Sequence, residues 1–290
     1  MKGVIVAAGE GNRIKRVTYG AFPKELLPIG NVPTIRFPIE ALRFAGAKDI
    51  SIVISANTKH GIIDGLQSGQ KFGVNLSYVV QEKSENELTG LGRAIYAARR
   101  WINGGKDFLV ACGDTILCDF TSKIPFDCLQ SLVNVHVSNK AMATVLLYPI
   151  KLDVTRFGVA KFSRLISESD VWYGMLESLV EKPSLDVANE YKTNGYSYVM
   201  AGYYAFKPKI FDFIEKTKPG VKHEVQITDS IQLALENGEK IYGVVHGKTR
   251  NGKLMPCEYW DVGIPESYKE ANLQLLSKNL EDILDISIER

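Results

Sequence analysis

Cysteine is scarce in this 290-residue chain, which carries only Cys112, Cys118, Cys128 and Cys257. No two stand in a Cys-x-x-Cys pair and no histidine pair accompanies them. That excludes a zinc-finger pattern and a disulfide framework, and a reducing cytoplasmic setting is the expectation. A charge excess of one sign is also missing. The 35 lysines and arginines meet 33 aspartates and glutamates, for a net charge of +2, so there is no basic field of the kind that recruits nucleic acid. Any anionic ligand must be met locally. Long hydrophobic runs are absent as well: the apolar start GVIVAA passes straight into Gly9-Glu10-Gly11 with no small-residue cleavage site. Neither a signal peptide nor a membrane span is expected. There is no Pro/Gly/Ser linker, no repeat and no low-complexity tract. The four histidines, His60, His136, His223 and His246, sit in no Ser/His/Asp arrangement, which argues against a catalytic triad.

With 45% hydrophobic residues, a chain of this length can fill a sizeable core. Short β-branched runs at 3–8, 50–55, 76–80 and 107–111 read as strands. Between them, 34–45, 59–67 and 90–101 carry apolar residues at three- and four-residue spacing and read as helices, the first closed by Gly46. This βαβ series predicts an α/β fold, with a Rossmann-like, mostly parallel central sheet and helices on both faces. From about 142 the runs ATVLLYPI, FGVAKFS, ESLVEKP and YSYVMAGYYAF follow without long helices between them, predicting a mixed or antiparallel, strand-rich insertion. A C-terminal amphipathic helix is expected over 266–283, with Leu273, Leu276, Leu280 and Ile283 on its apolar face. The whole chain reads as one domain with an inserted lobe.

The glycine-rich turn after the first strand matches neither common phosphate-binding motif. A dinucleotide fingerprint needs a glycine where Ile14 stands, and the Lys-Ser/Thr ending of a P-loop is missing. Gly247-Lys248-Thr249 fails in the same way, because Tyr242 occupies the first glycine position of a P-loop; it reads as a hairpin turn. What remains is strand, Gly9, Gly11, Arg13 and then Phe22-Pro23-Lys24. Glycines let backbone N–H groups approach phosphate, and an arginine fork with a lysine point charge can neutralise its oxygens. An ordinary βα turn with solvated charges is the alternative.

Other positions carry similar double readings. Asp114, directly after the strand LVACG, is either a helix cap or a ligand-binding carboxylate, and Asp261 in YWDVG is either a turn former or a second such carboxylate. Two hard-oxygen ligands in one crevice suit Mg2+, which keeps water and substrate phosphates as its remaining partners. Glu181-Lys182 precedes Pro183, whose ring favours an extended Lys182; the dipeptide is either solvated or binding. Gln81 either caps a loop or reads O4 and N3–H of a pyrimidine.

Taken together, GVIVAAGEGNRI and FPKELLPIGNVPTIRFPIEALRFAGAKDI resemble the signature of the sugar-1-phosphate nucleotidylyltransferases, near the glucose-1-phosphate thymidylyltransferases and uridylyltransferases. Tyr78-Val-Val-Gln81, Gly90-Leu-Gly-Arg-Ala94, Ala111-Cys-Gly-Asp114, Arg156-Phe-Gly158, Val180-Glu181-Lys182-Pro183, Ala201-Gly202 and Tyr259-Trp-Asp261-Val-Gly263 follow in the family's order. The likeness runs from residue 3 to about 265. Ala7-Ala8-Gly9, where many relatives have Ala-Gly-Gly, leans towards the uridylyltransferases. Asn12 and Arg16 depart from the usual Thr and Pro, and the stretch from Thr18 to Lys24 is one residue longer than in the bacterial enzymes.

The resemblance implies transfer of a nucleotidyl group from UTP or dTTP to a sugar 1-phosphate, with glucose 1-phosphate as acceptor. It implies Arg13, Lys24 and Lys182 as the catalytic cations, and Ala8, Gly9, Gly11, Gln81 and Gly90 at the nucleotide. Gly158, Glu181 and Gly202 would lie at the sugar, and Asp114 with Asp261 would hold Mg2+. Residues 1–140 would serve mainly the nucleotide and 141–265 mainly the sugar, with 266–290 as a C-terminal helix. A homo-oligomer, dimer or tetramer, is expected, with no membrane or nucleic-acid partner. The alternatives are a non-catalytic regulatory subunit that binds sugar nucleotide and a cytidylyltransferase of a related class. The second lacks the Glu-Lys-Pro segment found here.

Overall fold

A computed structural model describes residues 1–56, 59–82, 88–120, 125–220, 223–280 and 284. Along the chain it forms β1 (Lys2–Ala7), α1 (Arg36–Phe44), β2 (Asp49–Ser55), α2 (His60–Leu66), β3 (Asn75–Gln81), α3 (Leu91–Ala97), β4 (Phe108–Cys112) and β5 (Thr115–Cys118). There follow α4 (Asp127–Ser138), β6 (Ala143–Ile150), β7 (Gly158–Glu168), β8 (Val171–Glu181), β9 (Ser197–Phe206), α5 (Ile210–Lys216) and α6 (Ile227–Glu236). The chain closes with β10 (Ile241–Val245), β11 (Gly247–Arg250), β12 (Lys253–Pro256), β13 (Glu258–Asp261) and α7 (Pro265–Leu275). Two compact units result, one from 1–87, 109–127 and 258–290, the other from 88–108 and 128–257.

In the first unit β1, β2 and β3 pair in parallel, with Ile5 opposite Ile52 and Ile52 opposite Tyr78. Their strand order is β3-β2-β1-β4. The chain therefore builds outwards from β1 and then returns to its other side, which makes the end of β1 beside β4 a topological switch point. Gly113 N–H, just past β4, donates to Val6 O at 2.9 Å, so the two strand ends adjoin. Val4, Ile5, Ile50, Ile52, Val53, Leu109 and Val110 are all fully buried, the near-continuous apolar pattern of strands covered on both faces.

The second unit holds a mixed sheet in the order β9-β6-β10-β8-β7. β10 runs parallel to β6, and the other pairings are antiparallel. The α/β reading with a strand-rich second part is met. Between the four runs the only helix among the described residues is the short Leu185–Glu190, as expected; α4, α5 and α6 lie before and after them and were not anticipated. Ile227, Ile231 and Ala234 of α6 are buried at i, i+4 and i+7, a helical period short enough to be overlooked between strands. Gly247-Lys248-Thr249 is not a turn but part of β11, paired with β12 through the turn at Asn251 and Gly252.

The C-terminal helix is also shorter than expected, ending at Leu275, and 281–283 lie outside the described residues. Ala271, Leu275 and Leu280 are buried, whereas Leu273 and Leu276 are 69% and 71% exposed. Residue 271 and its i+4 neighbour face the unit, so Leu273 and Leu276 point away from it. Tyr268 Oη donates to Pro28 O at 3.0 Å and Asn272 Oδ1 accepts from Gly30 N–H at 3.1 Å, which docks the helix on its own unit. No helix among the described residues is long and apolar enough to cross a membrane, and no disulfide joins the four cysteines.

Candidate active site

The loop that leaves β1 buries Ala8 and then turns at Gly11, whose φ is 69°. A single 3-10 turn over Asn12–Ile14 follows. It drives Ile14 into the core and leaves the Arg13 side chain 60% exposed. A second 3-10 turn, Lys24–Leu26, presents Lys24. A Cβ on Gly9 would stand 3.5 Å from Lys24 Nζ and one on Gly11 3.5 Å from Lys24 Cδ. The two glycines thus lie along the lysine stem.

Lys24 Nζ ion-pairs with Asp114 Oδ2 in the turn between β4 and β5. Asp114 caps no helix there. Asp261 ends β13 opposite Thr115 of β5, and Val262 N–H donates to Asp114 O at 2.9 Å, so antiparallel pairing carries Asp261 to Asp114. Arg13 Nη2 reaches Asp261 Oδ2 at 3.3 Å, and Asp261 Oδ1 accepts from Gly263 N–H at 2.8 Å. A Cβ on Gly263 would stand 2.9 Å from Asp261 Oδ1, 3.1 Å from Asp114 Oδ2 and 3.2 Å from Arg13 Nη2. Both carboxylates and the guanidinium therefore face one small space that only glycine leaves open.

The charges of this cluster shape one another. Burial works to lower the Lys24 ammonium, but Asp114 and Glu25 overcome it and raise it above the ordinary lysine value. Burial likewise opposes ionisation of Asp114, which Lys24 nonetheless holds below the usual carboxylate range. Asp261 is raised by burial and by the charge of Asp114. Burial and Asp114 together push the Cys112 thiol up, so it stays a thiol and not a nucleophile.

A divalent hard cation fits this donor set. Two carboxylates converge on the space at Gly263, and no group of three or more His, Cys, Asp or Glu side chains assembles among the described residues. Two protein oxygens leave the rest of an octahedron to water and phosphate, the pattern Mg2+ prefers. Beside the loop opens a cleft of about 580 Å3, lined by Glu10, Asn12, Lys15, Phe22, Lys59 and Glu82 among others. Gln81 ends β3 next to Glu82 and is half-buried.

The second unit gathers a different group. Gly158 opens β7 opposite Glu181 at the end of β8. A Cβ there would stand 2.5 Å from Thr228 Oγ1 and 2.9 Å from Glu181 Oε2. Thr228 Oγ1 donates to Glu181 Oε2 at 2.7 Å, and Lys182 Nζ lies 3.3 Å from Glu181 Oε1. Lys182 is not extended as Pro183 suggested: its φ is +48°, and its N–H is held by Phe157 O at 3.0 Å. That tertiary hydrogen bond outweighs the local preference. Asp229, next to Thr228, is raised by burial and by the charge of Glu181. Gly202 has a φ of 78° where the β9 register against β6 shifts between Met200 and Tyr204. Gly90, at a φ of 100°, packs against the Val225 backbone, to which Thr89 and Gly92 are hydrogen-bonded.

Arg13, Lys24, Asp114 and Asp261 are thus brought together with Gly9 and Gly11, and Gly158, Glu181 and Lys182 form a group of their own. Sequence reasoning gave no role to Glu25, Lys59, Gly263, Thr228 or Asp229. For Thr228 and Asp229 a signal existed in the helical period of α6; for the buried pair of Glu25 and Lys59 there was none.

Comparison with known proteins identifies the family. The family model described as nucleotidyl transferase matches residues 2–278. The low-salt glycan biosynthesis nucleotidyltransferase of Haloferax volcanii is 32% identical over 95% of this chain, which spans 66% of that relative's length. A glucose-1-phosphate thymidylyltransferase of Xanthomonas campestris is 30% identical over 82% of this chain and 70% of its own. A solved UDP-glucose pyrophosphorylase in complex with UDP-glucose superposes with a TM-score of 0.76 over 96% of this chain and 99% of its own. At 24% identity it speaks for the fold alone. The chain belongs to the nucleotidyl transferase family, among the sugar-1-phosphate nucleotidyltransferases.

Proposed function

We propose that this protein transfers a uridylyl or thymidylyl group from UTP or dTTP to glucose 1-phosphate, releasing pyrophosphate. The observation that supports it most is the convergence of Asp114, Asp261 and Arg13 on the open space at Gly263, with Lys24 paired to Asp114 beside a strand-order switch point. A phosphate oxygen of the sugar 1-phosphate attacks the α-phosphorus, a new P–O bond forms, and the bond from that phosphorus to the bridging oxygen of the pyrophosphate breaks. The attacking oxygen is already anionic. Positioning and charge neutralisation then suffice, without a general base.

In this reading Lys24 neutralises the α-phosphate and Lys182 the sugar phosphate, while Arg13 takes charge that develops on the leaving pyrophosphate. Held by Asp114 and Asp261, Mg2+ would supply further positive charge at the triphosphate oxygens. Ala8, Gly9, Gly11 and Gly90 offer backbone to the nucleotide, and the Gln81 amide pairs with a pyrimidine edge. Glu181 accepts from sugar hydroxyls, with Gly158 and Gly202 giving the ring room. Residues 1–140 accordingly serve mainly the nucleotide and 141–265 mainly the sugar. The family resemblance adds a dimer or tetramer, and the unbridged cysteines suit a reducing cytoplasm.

Pyrophosphate release with Mg2+ tests the reading, crossing UTP, dTTP, CTP and ATP with glucose, galactose, mannose and N-acetylglucosamine 1-phosphates. Release with a uridine or thymidine nucleotide and glucose 1-phosphate, abolished by Asp114→Asn, is expected. A preference for CTP would move the protein to the cytidylyltransferases. Nucleotide binding with no release across the grid would make it a regulatory subunit.

A further inference from the structure

Lys59 Nζ lies 2.5 Å from Glu25 Oε2, and their side chains are 3% and 1% exposed. A charge so deeply buried persists only with its partner, and neither residue has a part in the reaction proposed above. Three observations tie this pair to the turn that carries Lys24 and to the residue before Asp114. Glu25 follows Lys24 in the same 3-10 turn. Ile35 N–H donates to Glu25 O at 2.8 Å, anchoring that turn. Glu25 Cγ lies 3.2 Å from where a Cβ of Gly113 would stand, so its side chain packs beneath the residue that precedes Asp114. At the other end, Lys59 leads into α2 and lines the cleft beside the β1 loop. The ion pairs Lys59–Glu25 and Lys24–Asp114 are thus joined through the Lys24–Leu26 turn.

We infer that the buried pair of Glu25 and Lys59 positions Lys24, holding the turn that presents its ammonium to Asp114 so that it can meet phosphate as Asp114 takes up a metal ion. Glu25 and Lys59 are positioning residues and touch no substrate. This inference rests on the proposed reaction for the task given to Lys24. The placement of Lys24 itself can be read without turnover.

The experiment compares wild type, Lys59→Met, Glu25→Met, the double variant and Lys24→Met by melting temperature, by kcat for pyrophosphate release, and by calorimetric binding of inorganic pyrophosphate with Mg2+. Each single removal strands a buried charge and lowers the melting temperature, whereas the apolar double variant regains it. The double variant is nonetheless expected to lose about tenfold to a hundredfold in kcat and to weaken pyrophosphate binding as Lys24→Met does. A double variant that recovers melting temperature, kcat and pyrophosphate affinity together would reduce the pair to a structural element and overturn the inference. So would a double variant that stays folded and binds pyrophosphate like wild type. If wild type itself transfers no nucleotidyl group, the proposed reaction fails, and the pyrophosphate arm still decides the role of the pair. A double variant with a melting temperature as low as the single variants would show that the charges are needed for folding and would also count against it.

Discussion

Lys24 and Asp114, 90 positions apart in sequence, meet as an ion pair, and Asp261 joins them because β13 pairs with β5. The cluster is neutral on balance only if Arg13 and Lys24 are counted against both carboxylates. A metal ion bound there would displace some of that internal pairing, so under the proposed reaction cation binding and phosphate binding are expected to support each other.

Filling the space at Gly263 tests the convergence directly. Gly263→Ala places a methyl group within about 3 Å of Asp261, Asp114 and Arg13. Its φ is not in the left-handed region, so the backbone tolerates alanine. Pyrophosphate release is expected to fall by about tenfold or more, with a higher Mg2+ concentration needed for half-maximal rate and an unchanged circular dichroism spectrum. An unaltered Mg2+ titration would remove this space from the site.

Gly158→Ala brings a Cβ to 2.5 Å from Thr228 Oγ1 and 2.9 Å from Glu181 Oε2. Overpacking of this kind costs about 1–3 kcal/mol, and the hydrogen bond between Thr228 and Glu181 must shift. We expect a lower urea midpoint together with a raised KM for the sugar phosphate and a nearly constant KM for the nucleotide. Equal effects on both substrates would contradict the sugar assignment of this group.

Lys182 separates stability from activity. Its φ of +48° costs a non-glycine residue about 1–2 kcal/mol, part of which glycine returns as unfolded-state entropy. Lys182→Gly should therefore leave stability unchanged or raise it by up to about 1 kcal/mol, while transfer to the sugar phosphate collapses. Lys182→Ala, which keeps the strain, should lose activity without that gain. Thermal denaturation of the two variants side by side decides it, and a less stable glycine variant would deny the strain.

Stability should also fall on acidification through His136. This side chain is 1% exposed and shares a hydrogen bond of 3.1 Å with Thr144 Oγ1. Burial lowers its pKa, and the carboxylate of Asp107, 3.3 Å from Nε2, does not fully offset that. Because the folded pKa is depressed, the unfolded chain binds the proton first as pH drops below about 6.5. The contribution is complete above that value and is lost as pH falls towards the folded pKa. Melting temperatures between pH 7.5 and 5.5 should decline more steeply for wild type than for His136→Gln, and parallel curves would refute the assignment.

Much of the first unit was legible because its signals are local. GVIVAA, ISIVIS and LSYVV alternate with helices at their proper period, and the observed strands Lys2–Ala7, Asp49–Ser55 and Asn75–Gln81 fall within a residue or so of those runs. Gly9, Gly11, Lys24 and Asp114 each carried two readings taken alone, and could be named as candidates only from their order along the chain. Three things could not be named, for three physical reasons. The left-handed Lys182 is held by the hydrogen bond its N–H donates to Phe157 O, a residue that only folding brings near, and this outweighs the preference set by Pro183. Leu273 and Leu276 at helical spacing left open whether that face packs on its own unit or on a neighbour, and the helix stops at Leu275 and turns Ala271 and Leu275 inwards instead. The pair of Glu25 and Lys59 reads in sequence as two solvated charges, the ordinary state of such residues, and becomes a buried ion pair because folding packs the Lys24 turn against the start of α2. Local patterning thus dictated the elements and the kinds of side chain at the site. Which carboxylate meets which cation, and which residues stand behind them, came from strand pairing between distant segments, where burial and partner geometry outweigh local preference.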